Sequence, residues 1–320
     1  MPRTFVIIPA AGESRRFRDS PRQVRTSKLY SLLGDRPLVW HVLSAFDPHP
    51  SVREMIVAVE PGRQREFHQA VVAKGGFRKP IRLVGGGRTR AESVWKALKR
   101  VSAKSAYVCI HDAARPFVQG TWLTKLMDRL DGWDGVILGR AAVPTIKVFQ
   151  PETGEIERTL DRTQLFEAET PQLIRKEFLL KSYRALGNRA FRVTDDAALI
   201  EAGGGRVKAV AHTSPNLKVT TYPDLILARK LAEGMGLSRP SGLRFGLGSD
   251  RHRLEEKRPF YLGGVRIASS FGPVGHSDGD PLLHALTDGI LGAIGAGDIG
   301  DFFAARSRRW RNARSVQFVK

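Results

Sequence analysis

Over residues 4 to 233 the chain alternates short aliphatic and β-branched runs with stretches whose apolar residues recur every three to four positions. The runs at 4–8, 54–59, 81–84, 106–111 and 135–140 predict strands, and the patterns at 37–46, 90–101 and 119–131 predict three of the helices between them. Strands that alternate with helices predict a mostly parallel sheet, because a parallel neighbour needs a crossover that returns the chain to the same end. From 141 to 170 the pattern breaks into short extended pieces punctuated by Pro144, Pro151 and Gly154, which predicts a β-hairpin arm projecting from the sheet. Such an arm is suited to pairing subunits, and a homodimer is expected. A helical pattern at 222–233 closes the region.

The segment 234–242, GMGLSRPSG, has no apolar periodicity and reads as a linker. Beyond it, 243–248 predicts a new strand and 280–296 a helix with apolar positions Leu283, Leu286, Ile290 and Ala293. The expected organisation is a first domain at 1–233 and a second at 243–320. No apolar run approaches the roughly 20 residues that cross a bilayer. The N-terminus, where Arg3 precedes one short strand that leads to Arg15 and Arg16, lacks the apolar core and cleavage site of a signal peptide. No membrane association and a cytoplasmic location are expected.

Charge adds a second possibility. With 52 basic and 32 acidic residues the formal net charge is +20, enough to attract polyanions through counterion release. No zinc-finger spacing or RNP aromatic signature accompanies it, so a nucleotide enzyme with a solvated basic surface is the preferred reading. From 304 to 320 the chain carries Arg306, Arg308, Arg309, Arg311, Arg314 and Lys320 and no acid, a tail suited to non-specific polyanion binding. Cys109 is the single cysteine, which excludes an intramolecular disulfide.

The chemistry gathers where strands end. Directly after the first strand comes PAAGESRRF, in which Ala10, Ala11 and Gly12 allow close approach of a ligand to the backbone, while Arg15, Arg16 and Lys28 supply positive charge. GGGRTRAESV brings Gly87, Arg90 and Ser93 after another strand. HDAARPF ends a third with Asp112, a hard oxygen donor of the kind that takes magnesium together with substrate phosphates. TLDR at 159–162, ETPQ at 169–172, TDDA at 194–197 and NLKVT at 216–220 follow. Plainer roles compete for several neighbours: Arg15 as a surface residue, His111 as a packed strand-end histidine, and Thr194, Asp195 and Asp196 as helix caps.

Over residues 4–233 this ordered series resembles the 2-C-methyl-D-erythritol 4-phosphate cytidylyltransferases. The resemblance implies a Rossmann-like nucleotidyltransferase sheet with a β-arm, and transfer of CMP from CTP to 2-C-methyl-D-erythritol 4-phosphate with release of pyrophosphate. It implies catalytic roles for Arg16 and Lys28, which would stabilise the anionic transition state. It also implies magnesium at Asp112, a phosphate contact at Lys218, and a nucleotide site made by Ala10, Ala11, Gly12, Gly87 and Ser93. Arg162 and Thr170 would grip the substrate phosphate, the arm coming from a dimer partner. Two departures stand out. The family's Pro-Lys pair reads Ser27-Lys28 after a longer loop, and the acid common before Asn-x-Lys is Pro215, which leaves a second metal-binding carboxylate missing.

In the second region, Asp250 and His252 in GSDRH would share one face of an extended segment, and HSDGD leads into a helix with His284. This set resembles the start of the 2-C-methyl-D-erythritol 2,4-cyclodiphosphate synthases, which are zinc-dependent trimers. The resemblance implies Zn²⁺ at Asp250, His252 and His284, substrate contacts at His276, Asp278 and Asp298, and trimeric contacts through this domain. It covers about the first half of that family's domain, so an incomplete α+β domain with weak or no second activity is expected. The rival readings are a ribitol-5-phosphate cytidylyltransferase, a basic nucleic-acid-binding protein on a degenerate enzyme fold, and a metal-binding scaffold.

Overall fold

β1 (Thr4–Ala10) is apolar along nearly its whole length and buried on both faces, as a central parallel strand requires. Its side chains alternate: Val6 and Ile8 enter one hydrophobic cluster with Leu43, Phe46 and Leu173, while Phe5 and Ile7 enter a second with Leu98, Leu179 and Ile200. These clusters lie on the two faces of one sheet. The computed structural model describes residues 3–12, 17, 27–237, 245–304 and 307–319, and the chain divides into two units, Met1–Pro240 and Ser241–Lys320. Arg15, Arg16, the loop at 18–26, the part of the linker at 238–242, Arg306 and Lys320 lie outside the described residues.

The first unit continues through α1 (Leu38–Phe46), β2 (Val52–Val59), β3 (Ile81–Gly85), α2 (Arg90–Leu98), β4 (Tyr107–Ile110), α3 (Thr121–Met127) and β5 (Gly135–Ala141). The arm follows as β6 (Lys147–Phe149) paired antiparallel with β7 (Ile156–Thr159), and then come β8 (Phe166–Arg175), α4 (Lys176–Leu186), α5 (Asp196–Ala202), β9 (Val207–Ala211) and α6 (Tyr222–Gly234). The seven-stranded sheet has the order β9-β5-β8-β4-β1-β2-β3. All neighbours are parallel except β8, which runs antiparallel to both β4 and β5.

This order creates the functional crevice. The chain moves outward from β1 to β2 and β3, then returns to place β4 on the other side of β1. At such a reversal the loops leaving two adjacent strands diverge and leave a cleft at their carboxyl ends. The loops at Ala11 and Asp112 flank that cleft.

The second unit has a strand pair, β10 (Leu254–Glu256) with β13 (Phe271–Pro273), and a hairpin, β11 (Phe260–Leu262) with β12 (Val265–Ile267). α7 (Pro281–Ile294) and α8 (Ile299–Phe302) complete it with two short 3-10 turns. The hairpin turns at Gly263 and Gly264, which take φ of 62° and 80°, the left-handed values a two-residue turn demands. Both of their N–H groups donate to the buried carboxylate of Asp280, which also caps α7 by accepting from Leu282 and Leu283.

One expectation fails in this unit. The strand expected at 243–248 is absent over its described part, 245–248. The segment instead passes so close to α7 that a side chain at Gly246 or Gly248 would strike the carbonyls of Gly289 or Ala285. Phe245 and Leu247, on the alternate positions, are 82% and 94% exposed, and among the described residues no neighbouring strand supplies a ladder. The helix expected at 280–296 forms as α7, with Leu286 and Ile290 exposed. Among the described residues, Phe318 is the one buried large hydrophobic side chain of this unit.

Candidate active site and metal centre

A cavity of about 820 Å³ opens at the reversal point of the sheet, within the roughly 300–1,000 Å³ usual for small-molecule sites. Ala10, Ala11, Gly12, Lys28, Gly87, Ser93, Asp112 and Lys218 all line it, so one site gathers residues from four separate motifs. Close packing explains part of the glycine usage. A side chain at Gly86 would lie 2.3 Å from the Ala11 Cβ, and one at Gly87 would strike Glu92. At Gly12 a side chain would meet no atom of the described residues within 4 Å.

Ser93 shapes the second loop from below. Its hydroxyl accepts from the Gly87 N–H at 3.0 Å and donates to the Thr89 carbonyl at 2.9 Å, while Thr89 caps α2 by accepting from Glu92 N–H. Lys28 opens a 3-10 turn, Lys28–Tyr30, which Ser27 caps through its side chain. The Ser27-Lys28 departure therefore carries its own start signal, and Lys28 still borders the cavity.

Asp112 is the electrostatic centre. Its Oδ1 accepts from Arg90 Nε at 2.8 Å, and Lys218 Nζ stands 2.7 Å from Oδ2. Burial opposes ionisation, but these two cations outweigh it and hold the carboxyl far below the usual range. Arg90 extends the network: Nη1 donates to Asp196 at 2.6 Å. Asp196 is 1% exposed, and burial raises its pKa despite Arg90. The TDDA pair thus divides. Asp195 is the cap of α5, accepting from Ala198 N–H, whereas Asp196 anchors Arg90. His111 is packed, bonded to Thr170 Oγ1 and the Arg115 carbonyl, with burial pushing its pKa down to about 4.

Sequence reasoning passed over Glu169. The β8 register is interrupted between Ala168 and Gln172, where Pro171 cannot donate to a ladder. Glu169, in that break, receives Arg140 through Nε and Nη2, His212 at 3.0 Å and Asn216 Nδ2 at 2.6 Å. Burial again opposes ionisation and is outweighed, here by the bonds from Arg140 and Asn216. Asn216 also donates to the Thr170 carbonyl, which fixes the NLKVT loop and so the approach of Lys218. Pro171 inside an otherwise strand-like run was the available signal.

Neither Arg162 nor Thr170 is among the residues that line the cavity. Arg162 lies at the arm, donating to the Val143 carbonyl at 2.9 Å. Thr170 is buried, and its hydroxyl lies between the Asp112 N–H and His111 Nδ1, each at 3.1 Å.

In the second unit, Asp250, His252 and His284 bring ligand atoms within 4.8 Å of one another. Asp250 Oδ2 stands 2.8 Å from His252 Nδ1 and 3.2 Å from His284 Nδ1. His252 Nδ1 is buried yet has no hydrogen bond of good geometry. Two imidazoles and one carboxylate around a common point, one of them with an orphaned nitrogen, fit a tetrahedral zinc site that keeps a fourth position open. The proposed substrate contacts are less convergent. His276 is exposed, Asp278 bonds both N–H and hydroxyl of Ser315, and Asp298 caps α8.

A reversal-point cavity with a glycine loop, a buried ionised carboxylate and converging cations defines an α/β nucleotide-handling transferase. The model of the 2-C-methyl-D-erythritol 4-phosphate cytidylyltransferase family, IspD, matches residues 4–233, and the chain belongs to that family. Residues 243–320 match the YgbB family. The chain is 38% identical over 322 residues to the bifunctional enzyme IspD/IspF of Rhodospirillum rubrum, spanning all of this chain and 79% of the relative. The Desulforudis audaxviator enzyme of the same name is 34% identical, with 99% and 77% covered. Among solved structures, the bifunctional IspDF from Campylobacter jejuni shares 29% identity at a TM-score of 0.58, covering 99% of this chain and 77% of that one. The 4-diphosphocytidyl-2C-methyl-D-erythritol synthase from Anaerococcus prevotii has a TM-score of 0.62 at 25% identity, covering 72% and 99%. The protein is thus a cytidylyltransferase of isoprene biosynthesis with a fused IspF-like, lyase-type domain.

Proposed function

We propose that the first unit transfers CMP from CTP to 2-C-methyl-D-erythritol 4-phosphate and releases pyrophosphate, in the cytoplasm and as a homodimer. The observation that carries this reading is the single cavity in which Lys28, Lys218 and Asp112 meet the glycine loop. The loop at Ala10, Ala11, Gly12, Gly87 and Ser93 receives the nucleotide. Lys218 holds a phosphate, and Lys28 with Arg16 stabilises the charge that builds as the acceptor phosphate attacks the α-phosphorus. Asp112, a hard and ionised oxygen donor, fits magnesium, which when bound would neutralise triphosphate oxygens. Thr170 holds Asp112 in place through its backbone, while Arg162 grips the acceptor phosphate from a partner's arm. Exposed Val143, Phe149 and Ile156 on and beside the arm support that pairing.

The second unit would hold zinc at Asp250, His252 and His284, whose chemistry is to polarise a phosphate oxygen. His276, Asp278 and Asp298 would face the substrate. Leu282, Leu286, Ile290 and Ile294 form an exposed stripe along α7 suited to trimeric contacts. With one large hydrophobic side chain buried among its described residues, this unit is expected to have weak activity in the single chain.

Pyrophosphate release from CTP and magnesium tests the first reading. Release is expected with methylerythritol 4-phosphate and not with ribitol 5-phosphate, and Lys28→Ala should lower kcat by about 100-fold or more. Preference for ribitol 5-phosphate would select the other cytidylyltransferase. No release with either would favour a basic polyanion-binding protein.

A further inference from the structure

The second unit carries a hydrogen-bond chain that the metal reading does not use. His284 Nε2 lies 2.9 Å from Ser315 Oγ, and Ser315 Oγ in turn contacts Asp278 Oδ1. Ser315 is fully buried. Its backbone N–H also donates to both oxygens of Asp278, at 3.1 Å each, so the hydroxyl is held at a fixed place.

Proton counting sets the direction of this chain. A serine hydroxyl has one hydrogen to give. Beside a carboxylate, which only accepts, that hydrogen goes to Asp278. Ser315 Oγ can then only accept from the imidazole, so the ring hydrogen of His284 sits on Nε2. Ser277 Oγ takes the Gly279 N–H and lies 3.2 Å from the same nitrogen and 3.3 Å from Ser315 Oγ; Ser315, its own hydrogen spent on Asp278, accepts the Ser277 hydrogen, which leaves a Ser277 lone pair toward the imidazole. Nδ1 is the nitrogen that faces Asp250 Oδ2 in the three-residue cluster, and a metal ion held between them would take its lone pair.

We propose that Ser315, itself held by Asp278, is a positioning residue that fixes His284 as its Nε2–H tautomer and presents Nδ1 to the metal. The proposal rests on the zinc reading above and deepens it by giving Asp278 a supporting task. Partners of this kind on the far nitrogen of a ligating histidine are worth about 10–100-fold in metal affinity. Ser315→Ala removes the hydroxyl but keeps the backbone clamp on Asp278, so the fold around it survives. Asp278→Asn keeps an acceptor for the Ser315 N–H yet can donate to the hydroxyl, which frees the serine hydrogen to reverse the chain.

The test uses the full-length chain with two readouts. In zinc-loaded protein, ¹⁵N-detected histidine spectra report which nitrogen of His284 keeps its hydrogen, and zinc affinity is read by competition with a chromophoric chelator. Expected results are Nε2–H at His284 in the wild type and affinity reduced about 10–100-fold in both variants. An Nδ1–H wild-type His284, or equal zinc affinity in wild type and Ser315→Ala, overturns the proposal. Wild-type protein that takes up no zinc overturns the metal reading, whereas zinc uptake that Ser315→Ala leaves unchanged overturns the proposal alone.

Discussion

Arg90 shows how one side chain can organise a site without filling it. Its guanidinium joins Asp112 to Asp196, two acids that are both almost inaccessible to water. Removing one acid leaves a buried charge short of a partner, which costs about 3–5 kcal/mol, far more than the intact network contributes. We therefore expect Asp196→Ala to destabilise the first unit by about that amount, read from the urea midpoint, and Asp196→Asn, which keeps an acceptor, to cost distinctly less. The sequence gives little sign of this role. Asp195 and Asp196 look alike as caps, and only the fold brings the second within 2.6 Å of a residue 106 positions away. By contrast, Asp112, Lys28, Gly87 and Ser93, all of which line the cavity, were legible through short local motifs and the family resemblance that their order carries. Glu169 escaped because its partners, Arg140, His212 and Asn216, come from three other segments.

At the scale of elements, α1 and the turn before β2 carry two buried histidines. His41 Nε2 lies 2.7 Å from the Leu33 carbonyl, and His49 Nε2 lies 2.9 Å from Thr124 Oγ1. Burial lowers the pKa of both, the carbonyl partly offsetting it at His41 and Lys79 adding to it at His49. Below the usual value near 6.5 the unfolded chain takes up protons that the folded one refuses, so stability present at neutral pH is lost as pH falls. Denaturant midpoints at about pH 7.5 and about pH 5 should show this loss, and His49→Gln should flatten it. The parallel core strands and the arm were legible from apolar runs and their punctuation. The strand expected at 243–248 is absent over 245–248 because alternation alone does not supply a neighbour to complete its ladder.

For the whole molecule, the two units differ in what holds them. The first has a core on both faces of its sheet, whereas the described part of the second buries little beyond Phe318 and depends on polar ties such as Asp280 and Asp278. Zinc at 100 times its Kd would add about 2.7 kcal/mol to the second unit alone. Calorimetry should accordingly show two transitions, with chelator lowering the first and leaving the second in place; one transition insensitive to chelator would contradict this division. The sheet of the first unit also ends in strands whose backbone could recruit foreign chains. β3, at one border, carries Arg82, which is paired to Glu54 on the adjoining strand, and β9, at the other, carries Lys208. A second sheet arriving along either border must desolvate a cation, so the surplus of basic side chains also protects a concentrated solution of this protein from growing into ribbons.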